Sequence, residues 1–331
     1  MRDKILKLLM QNPHGYVSGE EMASQLGVSR AAVNKHVEKL KAMGCEIDCK
    51  RNAGYRLASL SDSLLPEFVE IYRFDAGEAP YTILHYDRVA STNQTAKELA
   101  VKGAAHGTVV VAEVQTAGRG RQGRTWTSNA GEGIFCSLIL RPPIAPQDAH
   151  LFSLMAGVAV ARGVSAQGML PNVGLKWPND VLCGHRKLCG ILCELSADLD
   201  GVDYAVLGIG INVNQPTFGQ ELMGVATSMA METGRVIPRA RVLAAVLAEF
   251  FDLYAEAMGE GTPDFASLME EYAQWSVCLN RPVTAIQGKR QLRCVCVGFG
   301  PDGSLRLRDE AGTVHAILAG DVSIRGEGLY A

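Results

Sequence analysis

Three arginines alternate with glycines between positions 118 and 124, where the sequence reads Gly-Arg-Gly-Arg-Gln-Gly-Arg. Glycine lets a ligand approach the backbone closely and exposes N–H groups, and arginine binds phosphate through two parallel hydrogen bonds. This composition predicts a flexible loop that binds an anionic ligand. The alternative interpretation is a solvated loop, or a basic loop of the kind that binds RNA.

The same glycines match the G-x-G-x-x-G pattern of dinucleotide-binding proteins, but that site needs a helix that opens inside the motif. Residues 125–133 are poor helix formers, and an apolar strand follows at 134–140. The loop is therefore predicted to join two strands, the first at 108–115, which argues against a Rossmann site. No Gly-Lys-Ser/Thr closes the loop, so a P-loop is not supported either.

Three further segments place polar residues or glycines at strand or helix ends. Lys-Trp-Pro-Asn-Asp at 176–180 leads into Arg-Lys-Leu-Cys-Gly at 186–190, which together predict a hairpin. Gly-Ile-Gly-Ile-Asn at 208–212 is an apolar strand interrupted by glycines, a pattern typical of close approach by a ligand or by backbone. Ser-Thr-Asn at 91–93 precedes a predicted helix, so these residues either bind a ligand or cap that helix.

The first sixty residues predict three helices followed by a hairpin. Ser18 begins the second helix with capping-box spacing to Glu21, Gly27 ends it, and Ser29 begins the third. The third helix repeats apolar residues at helical spacing, which should face inward: Val33, Val37 and Leu40. Two alternating segments around the basic turn 50–54 complete a winged helix-turn-helix pattern.

This N-terminal region has the side chains expected of a DNA-binding module. Residues 1–62 contain ten Lys/Arg and seven Asp/Glu, a net charge of +3, whereas the remainder has a net charge of −6. Arginine and asparagine read base edges in the major groove, and lysine neutralises phosphates. The predicted DNA-binding residues are Ser29, Arg30, Ala31, Asn34, Lys35, Lys50 and Arg51. A protein-binding three-helix module with a solvated basic face is the alternative.

Composition restricts the class of protein. The 331 residues allow two or three domains, and no apolar run reaches the roughly 18 residues of a membrane span. The nine cysteines are odd in number and contain no C-x-x-C pair, which predicts reduced thiols and a cytoplasmic protein. The net charge of −3 argues against a whole molecule that coats nucleic acid. Zinc-protease and serine-hydrolase motifs do not occur.

Taken together, the motifs at 91–93, 115–124, 176–180, 186–190 and 208–212 resemble those of biotin protein ligases in order and spacing. With the winged helix in front, the chain resembles the bacterial family in which one protein is both biotin ligase and repressor of the biotin operon. The resemblance implies an α+β multi-domain fold. Its parts are a winged helix-turn-helix domain at 1–62, a catalytic domain similar to class II aminoacyl-tRNA synthetases at 63–276, and a C-terminal SH3-like β-barrel at 277–331.

The resemblance also implies a two-step reaction. The biotin carboxylate attacks the α-phosphorus of ATP to give biotinyl-5′-AMP and pyrophosphate, with Mg²⁺ required. A lysine amine of the biotin carboxyl carrier protein of acetyl-CoA carboxylase then takes the biotin and releases AMP. Biotinyl-AMP would also favour a homodimer that binds operator DNA and represses the genes of biotin synthesis.

Individual roles follow from the same resemblance. The expected biotin-binding residues are Ser91, Thr92, Asn93, Gln115, Gly118, Arg119, Gly120, Arg121 and Lys187. The expected nucleotide-binding residues are Arg121, Arg124, Trp126, Lys176, Asn179, Asp180, Asn212, Asp321 and Arg325. Lys187, Arg119 and Arg121 are the expected catalytic residues, with Lys187 against the α-phosphate. Trp126 would pack on adenine and Asn212 would bond to its edge; no protein ligand to a metal is expected.

Two residues depart from the family pattern. Gln122 stands where a family member can carry a further arginine, which bears on how firmly the intermediate is retained, and Cys189 stands where alanine is common. Three other functions are alternatives. A biotin sensor without ligase activity would not need Lys187 and the arginine loop, a ligase without DNA binding would not need the basic wing, and the complete G-R-G-R-x-G-R loop favours biotin over lipoate.

Overall fold

The computed structural model describes residues 1–73, 79–166, 169–198, 201–259, 262–287, 290–318 and 322–326. Its contacts divide the chain into two compact units, Met1–Ala76 and Gly77–Ala331. In the described ranges, no helix is long and apolar enough to cross a membrane. All nine cysteines lie in these ranges as free thiols and seven of them are buried, as expected of small apolar side chains in a core.

The first unit contains the predicted helices and hairpin. Its elements are α1 (Arg2–Met10), α2 (Gly19–Leu26), α3 (Arg30–Ala42), β1 (Glu46–Lys50), β2 (Gly54–Ser59) and α4 (Pro66–Glu70). Val33, Val37 and Leu40 are fully buried, which confirms the predicted inner face of α3. The strands β1 and β2 pair antiparallel and form the wing.

Hydroxyl caps and a left-handed glycine set the helix bounds in this unit. The Ser29 Oγ accepts the Ala32 N–H at 3.2 Å, and Gly27 ends α2 with φ of +65°. The Ser18 Oγ accepts the N–H of Glu20 rather than that of Glu21, whose carboxylate accepts a hydrogen bond from Gln25. The expected cap is therefore present, one residue earlier than capping-box spacing predicts.

The first unit continues beyond residue 62. The guanidinium of Arg2 on α1 lies 2.5 Å from the Glu67 carboxylate on α4, and Phe68 is fully buried. Helix α4 therefore packs with the N-terminal helices.

The second unit is built on a mixed sheet. Within the part of the chain that is described, its seven strands have the order β3-β4-β5-β9-β8-β7-β6. They are β3 (Thr82–Val89), β4 (Thr108–Gln115), β5 (Gly133–Leu140), β6 (Val173–Lys176), β7 (Asp180–Cys183), β8 (Arg186–Asp198) and β9 (Gly201–Asn212). Strands β3 and β4 are parallel, and every other pair is antiparallel. The glycine–arginine loop joins β4 to β5, so the predicted strand-to-strand connection is confirmed.

Helices cover this sheet. They are α5 (Thr92–Val101), α6 (Leu151–Ser165), α7 (Met229–Thr233), α8 (Arg239–Ala257) and α9 (Ala266–Trp275). Ala96 and Ala100 of α5 pack on Val110, Ile139 and Val206 of the sheet. Helix α6 is apolar around most of its circumference because it is enclosed by the sheet, α8 and α9.

The C-terminal residues form an antiparallel sheet, in line with the β domain that the family resemblance implies. Its described strands are β10 (Pro282–Gln287), β11 (Arg290–Phe299), β12 (Leu305–Asp309), β13 (Val314–Ile317) and β14 (Val322–Gly326), in the order β13-β12-β11-β10-β14. The buried Trp177 indole donates its N–H to the Gly303 carbonyl at 3.1 Å, and Tyr272 of α9 packs edge-on against Phe299. These contacts join the C-terminal sheet to the mixed sheet.

Candidate functional site

A pocket lies over the central strands β5, β8 and β9 of the mixed sheet. The structure brings ten of the predicted site residues into its lining: Ser91, Thr92, Asn93, Gln115, Arg119, Gly120, Arg121, Trp126, Asn179 and Lys187. They come from the start of α5, the end of β4, the glycine–arginine loop, the segment after that loop, the residue before β7, and β8. The segments that carry the sequence motifs thus converge on one surface.

Glycines form the floor of this pocket. A Cβ atom on Gly208 would lie 2.1 Å from the Asn93 Oδ1, and a Cβ on Gly190 or Gly210 would lie 2.8 Å from the Trp126 indole. The strand glycines do allow close approach, but the groups that approach are the side chains of Asn93 and Trp126 rather than the ligand or backbone that the pattern predicted. Without these glycines, Asn93 and Trp126 could not rest directly on the sheet.

A hydrogen-bonded group of neutral polar side chains occupies one end of the pocket. The Thr92 N–H donates to the Gln115 Oε1 at 2.8 Å, and the Thr92 hydroxyl lies 3.1 Å from the same oxygen. The Ser137 Oγ is 2.8 Å from the Thr92 Oγ1 and 2.6 Å from the Asn93 Oδ1. Ser91 occupies the N-cap position of α5 without a side-chain capping bond. Pocket lining therefore accounts for this segment better than helix capping does.

A charged pair lies behind Asn93. The Asn93 Nδ2 donates to the Glu194 Oε2 at 2.8 Å, and the Lys97 ammonium lies 2.5 Å from the Glu194 Oε1. Burial acts to raise the pKa of Glu194, but the hydrogen bonds from Lys97 and Asn93 outweigh it and hold that pKa below its usual range. The carboxylate is therefore ionised at neutral pH.

The glycine–arginine loop forms a compact turn. The Gly120 N–H donates to the Arg124 carbonyl at 2.7 Å, and residues Arg121–Gly123 make a single 3₁₀ turn. The Arg121 Nη1 donates to the Asn179 Oδ1 at 2.9 Å, and the Asn179 amide in turn donates to the Ile191 carbonyl. One arginine of the loop is thus held against the hairpin, whereas Arg119 and Arg124 are exposed.

Lys187 is positioned by a carboxylate and an indole. Its ammonium lies 2.6 Å from the Asp180 Oδ1 and 5.6 Å from the centre of the Trp126 ring. Its backbone N–H donates to the Val225 carbonyl at 2.8 Å, which fixes the start of β8. The arrangement presents a cation beside an aromatic face, a combination suited to a phosphate next to a base.

The remaining predicted residues lie around the pocket or beyond the described residues. Outside the lining are Gly118, Arg124, Lys176, Asp180 and Asn212. Asn212 is 3.5 Å from the Lys187 carbonyl, and Lys176 is buried opposite Asp180 in the β6–β7 pair. Asp321 lies outside the described residues, and Arg325 belongs to β14, where only the backbone is described.

Sequence reasoning missed Ser137, Glu194 and Lys97. Ser137 lies in β5, whose eight residues are all buried, and it is flanked there by Cys136 and Leu138. A lone hydroxyl in a fully apolar strand was the available signal, because such a group needs a buried partner. Glu194 and Lys97 belong to no motif, and only the fold brings them together.

The first unit presents the predicted DNA-binding residues on its surface. Ser29, Arg30, Ala31, Asn34 and Lys35 of the α3 segment are exposed, as are Lys50 and Arg51 of the wing. The Tyr55 hydroxyl of β2 donates to the Asn34 Oδ1 at 3.1 Å, so a residue of the wing orients a residue of α3. The Lys50 ammonium lies 5.8 Å from the centre of the Tyr16 ring.

Comparisons with known proteins match both units. Residues 2–56 match a helix-turn-helix (HTH) domain, and residues 86–212 match the biotin/lipoate A/B protein ligase family. The chain is 39% identical over 327 residues to the bifunctional ligase/repressor BirA of Bacillus subtilis, covering 98% of both chains. It is 36% identical over 326 residues to the Bacillus spizizenii protein of the same name, again with 98% of both covered.

Solved structures agree. The biotin protein ligase from Aquifex aeolicus in complex with biotin and ATP superimposes with a TM-score of 0.64 at 30% identity. That match covers 74% of this chain and 99% of the other. The chain therefore belongs to the bifunctional ligase/repressor family of biotin protein ligases.

Proposed function

We propose that the chain uses ATP to form biotinyl-5′-AMP and transfers the biotin to a lysine of a biotin carboxyl carrier protein. One observation carries the proposal: a neutral hydrogen-bonding group and a cluster of cations line the same pocket. Thr92, Asn93 and Gln115 supply donors and acceptors for a polar, uncharged ring. Lys187 and Arg121 supply positive charge for a carboxylate and a phosphate.

Both steps of the reaction proceed without an enzyme nucleophile. When the biotin carboxylate attacks the α-phosphorus, a new C–O–P linkage forms and pyrophosphate leaves with the electrons of the broken P–O bond. Negative charge builds on the phosphate oxygens, and Lys187, Arg119 and Arg121 would stabilise it. Trp126 and Asn212 would hold the adenine, with Arg124, Lys176, Asn179 and Asp180 beside the nucleotide.

The metal would arrive with the nucleotide. Among the described residues, no three His, Cys, Asp or Glu side chains are grouped as a metal site. Mg²⁺ commonly keeps its waters and binds substrate phosphates with only one or two carboxylates. We propose Mg²⁺–ATP as the substrate, and Asp180, whose carboxylate lies 2.6 Å from the Lys187 ammonium, would help to position the metal.

We further propose three functional regions: DNA binding at 1–62, catalysis at 63–276, and a C-terminal domain at 277–331 whose Asp321 and Arg325 support nucleotide use. Biotinyl-AMP would order the glycine–arginine loop, and this surface would favour a homodimer. A symmetric dimer matches paired half-sites in operator DNA, read by Arg30 and Asn34. The intermediate shifts this equilibrium only if it binds the dimer-competent state more tightly.

The ligase proposal is tested with purified protein, Mg²⁺–ATP and radiolabelled biotin. We expect an acid-labile biotinyl-AMP, followed by AMP release and labelling of an added carrier domain. Lipoate in place of biotin serves as the comparison. An absence of adenylate with biotin, or a preference for lipoate, contradicts the proposal.

The repressor proposal is tested by sedimentation and by DNA binding. We expect a monomer alone and a dimer with biotin plus ATP, and we expect only the latter to retard a fragment containing its own operator. A monomer under both conditions contradicts the dimer, and equal retardation under both contradicts regulation by the intermediate.

A further inference from the structure

We propose that Glu194 is a positioning residue that fixes the orientation of the Asn93 carboxamide and thereby makes the pocket select a ligand with an N–H group at Asn93. The inference rests on the proposed function, in which Asn93 contacts the ureido ring of biotin. It assigns a role to a residue that lies in no sequence motif and outside the pocket lining.

The chemistry of the carboxylate sets the orientation of the amide. An ionised carboxylate only accepts hydrogen bonds, so the side of Asn93 that faces Glu194 must be its NH₂ group. The distance of 2.8 Å from Nδ2 to the Glu194 Oε2 fits this arrangement, and the Leu192 carbonyl takes a weaker second bond at 3.4 Å. Both amide hydrogens of Asn93 therefore point toward β8.

The opposite side of Asn93 is then necessarily an acceptor. Its Oδ1 lies 2.6 Å from the buried Ser137 hydroxyl, which donates to it, so the Thr92 hydroxyl must donate either to Ser137 or to Gln115. A carboxamide oxygen has two lone pairs, so beside Ser137 it can accept one more hydrogen bond. The fixed polarity thus offers the ligand an acceptor at this point, and a ureido ring supplies the matching N–H.

Lys97 keeps the carboxylate ionised. Its ammonium is 2.5 Å from the Glu194 Oε1, and it is one helical turn from Asn93 on α5. Arg119 of the glycine–arginine loop is a second cation that acts on Glu194, and the neighbouring titratable group on β8 is the Cys193 thiol. Because Lys97 and Arg119 are cationic, both lower the pKa of Glu194, and a protonated Glu194 would instead be able to donate to Asn93.

A purely structural role is the competing explanation, since Glu194 also ties β8 to α5 through Lys97. The two explanations differ in selectivity. Loss of a structural tie weakens all ligands alike, whereas loss of the fixed orientation lets the Asn93 amide turn and present NH₂. Only the second outcome reduces discrimination between a ligand with an N–H at this point and one without it.

The test measures adenylate formation by the full-length chain with biotin and with two biotin derivatives, each methylated on one ureido nitrogen. In the wild type, we expect at least one derivative to have a KM at least tenfold above that of biotin, because its N–H is lost. In Glu194→Gln, we expect the KM for biotin to rise about tenfold with kcat changed less than threefold. The ratio of the KM for the methylated derivative to the KM for biotin should fall at least fivefold. Glu98→Gln, which makes the same change at an exposed carboxylate on α5, the helix of Asn93 and Lys97, is the matched control and should behave as wild type.

A second variant tests whether Lys97 keeps Glu194 ionised, without changing Glu194 itself. In Lys97→Met, the pKa of Glu194 is expected to rise because burial remains and the principal counter-charge is lost. As the pH is lowered, the KM for biotin should then begin to increase at a higher pH in Lys97→Met than in the wild type. Ionisation of biotin itself is common to both proteins, so the difference between the two profiles reports Glu194.

Three results overturn the inference: an unchanged biotin KM in Glu194→Gln, an unchanged ratio between biotin and the methylated derivatives, or superimposable pH profiles for Lys97→Met and wild type. Thermal unfolding of each variant shows whether it is folded, and Lys97→Met carries the test if Glu194→Gln is not. Failure of the proposed function gives a different result, since the wild type would then form no biotinyl-AMP.

Discussion

The glycines under the pocket lead to a specific prediction for Gly208→Ala. The new Cβ would lie 2.1 Å from the Asn93 Oδ1 and 2.9 Å from its Cγ, whereas ordinary contacts begin near 3.4 Å. The Asn93 side chain must therefore move by roughly 1 Å, which is more than its hydrogen bonds to Ser137 (2.6 Å) and Glu194 (2.8 Å) can absorb.

The magnitude follows from those two bonds. A hydrogen bond to a charged group contributes about 1.5–3 kcal/mol, and every 1.4 kcal/mol is a factor of ten in affinity. If Asn93 contacts biotin, we expect the KM for biotin to rise about 10- to 100-fold in Gly208→Ala. The KM for ATP should change less than about threefold, because Trp126 does not rest on Gly208.

Gly210→Ala is the matched control. It adds the same methyl group two residues along β9, where it meets the Trp126 indole at 2.8 Å. Here we expect the KM for ATP to rise and the KM for biotin to change little. Pyrophosphate exchange at varied biotin and varied ATP measures both constants. Equal effects of the two variants on both substrates would refute the assignment of separate biotin and adenine ends to the pocket.

Further variants test the other parts of the molecule. Lys187→Ala should lower adenylate formation by at least about 100-fold while biotin binding is mostly kept, as measured by exchange and by calorimetry; near wild-type exchange would remove Lys187 from its assigned role. Arg121→Ala should release biotinyl-AMP faster, seen as free intermediate on filtration; retention equal to wild type would contradict this. Arg30→Ala should weaken operator binding without changing ligase activity, which gel retardation and carrier labelling report separately. In denaturant unfolding, Leu40→Ala should lower the stability of the first unit by about 2–5 kcal/mol, because Leu40 is fully buried. Lys39→Ala, at an exposed position, should lower it by less than about 0.5 kcal/mol. Equal losses in the two variants would contradict the assignment of Leu40 to the core.

Much of the first unit could be predicted because its signals are local. Val33, Val37 and Leu40 repeat at helical spacing, and Ser29 and Gly27 are cap residues, so neighbouring residues alone define these helices. The position of α4 could not be predicted in this way. Its contacts join residues that are distant in sequence, including the ion pair between Arg2 and Glu67 and the burial of Phe68.

The mixed sheet also has some features that local sequence predicts and others that depend on the fold. The strand-to-strand nature of the glycine–arginine loop followed from the poor helix formers after it. The grouping of Asn93 with Ser137 and Glu194 did not, because they lie on α5, β5 and β8 and the sheet order β5-β9-β8 brings them together. Motifs located ten lining residues and also Asp180 beside Lys187, whereas only the fold located Ser137 and Glu194 beside Asn93.

Trp126 has a consequence for how the protein can be observed. The sequence contains three tryptophans. The indole N–H of Trp177 is bonded to the Gly303 carbonyl and that of Trp275 to Glu271, whereas the Trp126 Nε1 is buried without a hydrogen-bond partner in the structure. Indole emission is sensitive to its surroundings, and Trp126 is the one indole that lines the pocket. The chain therefore carries an intrinsic optical reporter, whose fluorescence should reveal occupancy of the pocket in real time without any added dye.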